Sequence, residues 1–206
     1  MGGNFLEAGG KQVNHLAKWD GAEWSALGEG IPGNSHPVWT LTVVGDDLYA
    51  KAGADEWNGK WSKWDGQEWS SLGSQFDGVS RLWGFGNDLY TTGDFDRATS
   101  NLDIAKWAGG KRLRLWNFEG NAGSVQAMAA TRSGDLYIAG WWTRARGVVK
   151  NNIAKWDGHS WSSIGSGVAD PLNTDWRVTR GVRALAVLGR YLYVGGNFQK
   201  AGGVES

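Results

Sequence analysis

KWDGAEWSALG at 18–28, KWDGQEWSSLG at 63–73 and KWDGHSWSSIG at 155–165 are near-copies of one phrase. A fourth Lys-Trp pair, Lys106-Trp107, falls between the second and third copies, so the pairs at 18, 63, 106 and 155 are 45, 43 and 49 residues apart. A period of that length is one four-stranded propeller blade. A second phrase recurs between the Lys-Trp pairs: TVVGDDLY at 42–49, WGFGNDLY at 83–90, ATRSGDLY at 130–137 and AVLGRYLY at 186–193. Gly beside Asp or Asn supplies the positive φ of a tight hairpin turn, and the flanking Val, Leu, Tyr and Trp suit a pleated, half-buried surface. Each repeat therefore reads as an inner hairpin around Leu-Tyr followed by an outer hairpin closed by Asp-Gly, with a Trp on each arm. A single blade exposes both sheet faces and must pack on neighbours, so Trp19, Trp24, Trp64, Trp69, Trp107, Trp156 and Trp161 are expected as repeated structural side chains.

The expected fold is all-β, a propeller of about four four-stranded blades over a single domain, 1–206. Blade repeats are expected at 38–72, 79–118 and 125–164, with a fourth made from 182–198 and 14–27. The 33 Gly and 3 Pro among 206 residues fit many short strands and tight turns. Gly2-Gly3-Asn4-Phe5 and Ala8-Gly9-Gly10 are matched by Gly195-Gly196-Asn197-Phe198 and Ala201-Gly202-Gly203, so both ends fall in the same repeat element. Pairing of the terminal strands within one chain leaves residues 1–13 displaced or in the strand place of 195–205. Assembly from more than one chain, a homo-oligomer through the terminal strands, is the alternative.

LYVGGNFQKAGGVES at 192–206, read on into NHLAKWDGAEWSALG at 14–28, resembles a kelch-type repeat. The likeness covers nearly the whole chain. It departs in the short WDGxxW hairpin and in KAGADEWNGKWS at 51–62, which lacks the Gly-Gly elements. The chain is more similar to the Gly- and Trp-rich propeller repeats of large bacterial surface and secreted proteins, which implies an extracellular or cell-surface setting. A galactose-oxidase-type activity on a kelch propeller needs a Tyr crosslinked to Cys, and this chain has no Cys.

Twenty-one basic residues balance twenty-one acidic ones, so no global field gathers polyanions and no nucleic-acid partner is expected. No apolar run approaches the ~18 residues of a membrane helix, and the N-terminus lacks a basic region followed by an apolar one, so neither membrane insertion nor an export signal is expected. His15, His36 and His159 fall at different repeat positions and no Gly-x-Ser-x-Gly occurs, so the chain is read as non-enzymatic, with no catalytic residues. The Asp-containing hairpin turns lack the alternating oxygen ligands of a calcium loop. Asp94, Asp96 and Asp103 form the best remaining metal candidate, yet no metal and no cofactor are expected.

Tryptophans that depart from the repeat carry the functional expectation. Trp141-Trp142 stands where other copies have Asn-Phe or Asp-Phe, and Trp176 lies in the insertion ADPLNTDWRVTRG. Aromatic rings beside Asp, Asn and Arg are how sugar-binding surfaces are built, so Trp141, Trp142, Arg144, Asn173, Asp175 and Trp176 are the candidate ligand-binding residues. The insertions at 31–37 and 168–178 both follow an outer strand, which predicts that they share one loop face. The expected function is a non-catalytic binding or scaffolding module for a protein partner. A lectin-like carbohydrate-binding propeller and a designed or fragment propeller that only self-assembles are the alternatives.

Overall fold

Strand Val38–Val44 is turned by Gly45 and Asp46 into strand Asp47–Ala52, and the sheet continues through Lys60–Trp64 and Trp69–Ser71 in simple up-and-down order. The computed structural model describes residues 1–55, 59–94, 103–117, 124–140, 144–145, 148–149, 152–169 and 181–205. The second blade repeats the order with Val79–Phe85, Asp88–Gly93, Asp103–Ala108 and Lys111–Asn117, and the third with Val125–Ala130, Leu136–Gly140, Ile153–Trp156 and Trp161–Ser163. Two half-blades complete the repeat: an N-terminal hairpin, Ala17–Trp19 with Trp24–Ala26, and a C-terminal hairpin, Gly181–Leu188 with Tyr191–Asn197. The chain is all-β and of the β-propeller class. Contacts divide it into two compact units, residues 1–91 with 106–113 and residues 92–105 with 114–206.

The Asp-Gly turn of the outer hairpin is set by its own carboxylate. Asp65 Oδ1 accepts from the backbone N–H of Gln67 at 2.8 Å and of Glu68 at 2.9 Å, and Gly66 follows at φ 101°, where a Cβ is disfavoured. Asp20 and Asp157 make the same pair of bonds. The two tryptophans of each outer hairpin then sit opposite each other, Trp19 with Trp24, Trp64 with Trp69 and Trp156 with Trp161, with ring centroids 5.2, 5.6 and 5.3 Å apart.

Indole N–H groups tie successive hairpins together. Trp69 Nε1 donates to the Leu27 carbonyl at 3.1 Å, Trp161 Nε1 to that of Leu115 at 3.3 Å, and Trp61 Nε1 to that of Val79 at 3.1 Å. A buried indole needs such a partner. Trp107, whose hairpin lacks the second Trp of the phrase, stacks instead on Phe76 with centroids 4.2 Å apart.

In the first unit Leu16 and Leu27 of the N-terminal hairpin pack with Val38, Ala50, Ala52 and Trp69 of the first blade. The innermost strands of the first and second blades approach so closely that a Cβ on Gly84 would lie 1.9 Å from the Val43 carbonyl oxygen. In the second unit Ala139, Ile153, Val168 and Val182 form the core, with Leu185, Leu192 and Val194 of the C-terminal hairpin packed on it. The first strand of three inner hairpins carries a register shift near its start, between Val38 and Thr40, Val125 and Ala127, and Val182 and Ala184. Such a bulge re-aims one side chain. At the first of them Trp39 turns outward, 45% exposed, and bonds the Gly53 carbonyl at 2.8 Å.

Of the arrangements expected for the duplicated ends, the first residues of the chain take a strand place on the N-terminal hairpin. The N- and C-terminal hairpins form separate two-stranded sheets, one in each unit. Gly2 bridges Leu16, and the amino group and carbonyl of Met1 bond the Ala17 carbonyl and N–H at 2.6 and 2.9 Å. Gly3 N–H donates to the His15 carbonyl at 3.1 Å, as Gly140 N–H does to that of Asn152 at 3.1 Å, and His15 and Asn152 share φ 64°. The N-terminal segment thus stands on its hairpin as Ala139–Gly140 stands on Ile153, its Ala-Gly-Gly turn closing the small ladder Glu7–Ala8 with Lys11–Gln12. Among the described residues no helix is long and apolar enough to cross a membrane.

Candidate functional site

Three blades carry the same Asp, Tyr and Lys at the turn end of the inner hairpin. Asp47 and Tyr49 are two residues apart, hence on one sheet face, and Lys63 is the cross-strand partner of Tyr49. Lys63 Nζ reaches Asp47 at 3.1 Å, Lys106 Nζ reaches Asp88 at 2.7 Å and lies 5.6 Å from the Tyr90 ring centre, and Lys155 Nζ reaches Asp135 at 2.8 Å and lies 5.9 Å from that of Tyr137. The bonds to Asp47 and Asp135 hold the Lys63 and Lys155 ammonium groups above the usual lysine range. Burial pushes the Tyr49 and Tyr90 phenols up. A lysine held charged is a weak nucleophile and a phenol held neutral is a weak base. The triad works as a clamp between strands.

The clamps border grooves between neighbouring inner hairpins. In the first unit the turns of the first and second blades are joined by Gly45 N–H to the Gly86 carbonyl at 2.7 Å, and beside them opens a groove of about 590 Å³. Asp46, Asp47, Lys63, Asn87, Phe76 and Trp107 contribute to its wall. In the second unit a groove of about 820 Å³ lies between the third blade and the C-terminal hairpin, walled by Thr131, Arg132, Ser133, Asp135, Arg190 and Tyr191 among others. Its charge differs because GRYLY at 189–193 stands where the second blade has GNDLY at 86–90, putting Arg190 and Tyr191 in place of Asn87 and Asp88, and because the facing turn carries Arg132. Arg190 is set against Tyr191, its guanidinium 5.1 Å from the ring centre and bonded to the hydroxyl at 3.0 Å. The outer face of this hairpin is apolar and uncovered, with Leu188 at 69%, Tyr191 at 56% and Tyr193 at 53% exposure.

Trp141, Trp142, Asn173, Asp175 and Trp176 lie outside the described residues, as does the side chain of Arg144. The Arg144 backbone belongs to a short ladder in which it faces Val149. From residue 170 the second insertion also lies outside them, whereas in the first, exposed His36 is held by Asn34, whose side-chain amide donates to the His36 carbonyl at 2.7 Å. Of the metal candidate, Asp96 lies outside the described residues, and Asp103, 1% exposed, is paired with Arg114 at 3.0 Å. Among the described residues no group of three His, Cys, Asp or Glu side chains converges on a metal position.

Sequence reasoning did not single out the Asp-Tyr-Lys clamp or the Arg132–Arg190 groove. The signal was present in the Gly-Asp-Leu-Tyr and Lys-Trp phrases, whose register against each other brings the three side chains together. No protein-family model matches the sequence, and no curated protein matches it.

Proposed function

We propose that the chain is a non-catalytic binding propeller that attaches a protein partner through the turn end of its inner hairpins. The observation that carries this reading is the C-terminal hairpin, where Leu188, Tyr191 and Tyr193 stand exposed beside a groove of about 820 Å³. Apolar and aromatic side chains left uncovered next to a concave, partly charged wall are the usual makings of a protein contact. The sequence resemblance to kelch-like and bacterial Gly- and Trp-rich repeats fits a secreted or cell-surface attachment role.

A carbohydrate ligand is the second reading. It is favoured by the first groove, where Asp46, Asp47 and Asn87 lie beside Trp107. Probing a peptide array and a glycan array with the same labelled sample separates the two. Peptide binding that falls in Tyr191→Ser and Tyr193→Ser, with unchanged melting, supports protein attachment. Glycan binding alone, or binding to neither array, contradicts it.

A further inference from the structure

Both grooves are bordered by the turns of two inner hairpins, and they differ in charge. The first has the carboxylates of Asp46 and Asp47 against the single ammonium of Lys63. In the second the one carboxylate, Asp135, is already held by Lys155 at 2.8 Å, which leaves the guanidinium groups of Arg132 and Arg190 unmatched. Neither arginine makes an ion pair among the described residues, and both are exposed. Arg190 is held in place by Tyr191 through ring and hydroxyl, so little side-chain freedom remains to be lost when a ligand binds. Each guanidinium offers a planar fork that matches a carboxylate with two parallel N–H···O bonds.

The rest of the wall discriminates among anions. Val187, Leu188 and Leu192 flank the arginines with aliphatic surface. Sugar rings are gripped on open aromatic faces, and both tyrosines of this groove have a cation over the ring, Arg190 at 5.1 Å from the centre of Tyr191 and Lys155 at 5.9 Å from that of Tyr137. Aliphatic side chains next to a carboxylate suit this wall better. We propose that the groove between the third blade and the C-terminal hairpin binds an acidic peptide segment of the partner, with an Asp or Glu carboxylate between Arg132 and Arg190 and a neighbouring aliphatic side chain on Leu188. The proposal rests on the protein-attachment reading and names its partner chemistry.

The test is fluorescence anisotropy with labelled octapeptides in which Glu or Asp precedes Leu, and with matched peptides carrying Gln or Asn instead. The acidic peptides are expected to bind at least about tenfold more tightly, with affinity falling as salt rises from 50 to 300 mM, test conditions in which exposed charge pairs become progressively screened. Arg132→Gln and Arg190→Gln should each lose about tenfold for the acidic peptides and little for the amides, while Arg132→Lys, which keeps charge without the fork, should fall between. Lys11→Gln, which removes an exposed charge from the small N-terminal ladder, should bind as wild type. Equal affinity for acidic and amide peptides, or unchanged affinity in both Arg→Gln variants, overturns the acidic-groove proposal while leaving protein attachment standing. No binding to any peptide, with or without binding to a sulfated glycan, overturns both.

Discussion

Replacing Trp69 by Phe removes one hydrogen bond from the centre of the first unit and little else. Trp69 is 8% exposed, and its Nε1–H meets the carbonyl of Leu27, itself 8% exposed, at 3.1 Å across 42 residues of chain. Phe keeps a ring against Trp64 and leaves that carbonyl with its second donor, the Gly30 N–H at 3.2 Å, so the loss is that of one intramolecular hydrogen bond, about 0.5–1.5 kcal/mol. At roughly 2–4 °C per kcal/mol for a chain of this size, Trp69→Phe should melt about 1–6 °C lower. Trp69→Ala also opens a cavity and should cost about 3–5 kcal/mol. Trp19, the first Trp of the N-terminal hairpin, is 50% exposed, and Trp19→Phe should stay within about 0.5 kcal/mol of wild type. The assay is urea unfolding followed by circular dichroism, with the slope checked for constancy so that a midpoint shift reads as stability. If Trp69→Phe unfolds with the wild-type midpoint, the indole bond does not join the hairpins energetically, and the account of why the phrase repeats fails.

Gly84→Ala puts a Cβ where the Val43 carbonyl oxygen stands 1.9 Å away and should cost about 1–3 kcal/mol or more in urea midpoint, whereas at Gly195, where the nearest atom is 3.9 Å off, Ala should be tolerated. Asp135→Asn and Lys155→Met should each lose no more than about 1 kcal/mol, with a double-mutant cycle whose coupling shrinks at high salt, because the pair is partly exposed. Backbone and hydroxyl bonds from Ser160, with the N–H of His159, hold Asp157 down at about 2 against an ordinary 3.8. A depressed carboxyl stabilises the fold fully above its ordinary value and stops doing so as pH falls through the folded value. Melting temperature should therefore drop between about pH 3.8 and pH 2 more steeply in wild type than in Asp157→Asn.

The blades were legible because their punctuation is local. Asp20, Asp65 and Asp157 bond the N–H groups two and three residues on, so the turn is written entirely within each phrase. What escaped the sequence depends on register or on competition between segments. The clamp joins Asp47 and Tyr49 to Lys63 only once the strand pairing is known. The bulges at the start of three inner hairpins add one residue without changing composition, so Trp39 could not be assigned an outward direction. With Gly-Gly-Asn-Phe written at both ends, the sequence left open where residues 1–13 go, and Met1 and Gly2 lie along Leu16 and Ala17. The groove charge was visible in the contrast of GNDLY with GRYLY, but its meaning required knowing that each turn borders a groove.

Attachment of a protein partner at the turn end of the inner hairpins is tested most directly by hydrogen exchange of the intact chain, with and without the tightest peptide from the array. The account predicts slowed exchange at residues 131–137 and 187–192, which border the second groove. Slowed exchange confined to other parts of the chain, or no change at saturating peptide, contradicts it.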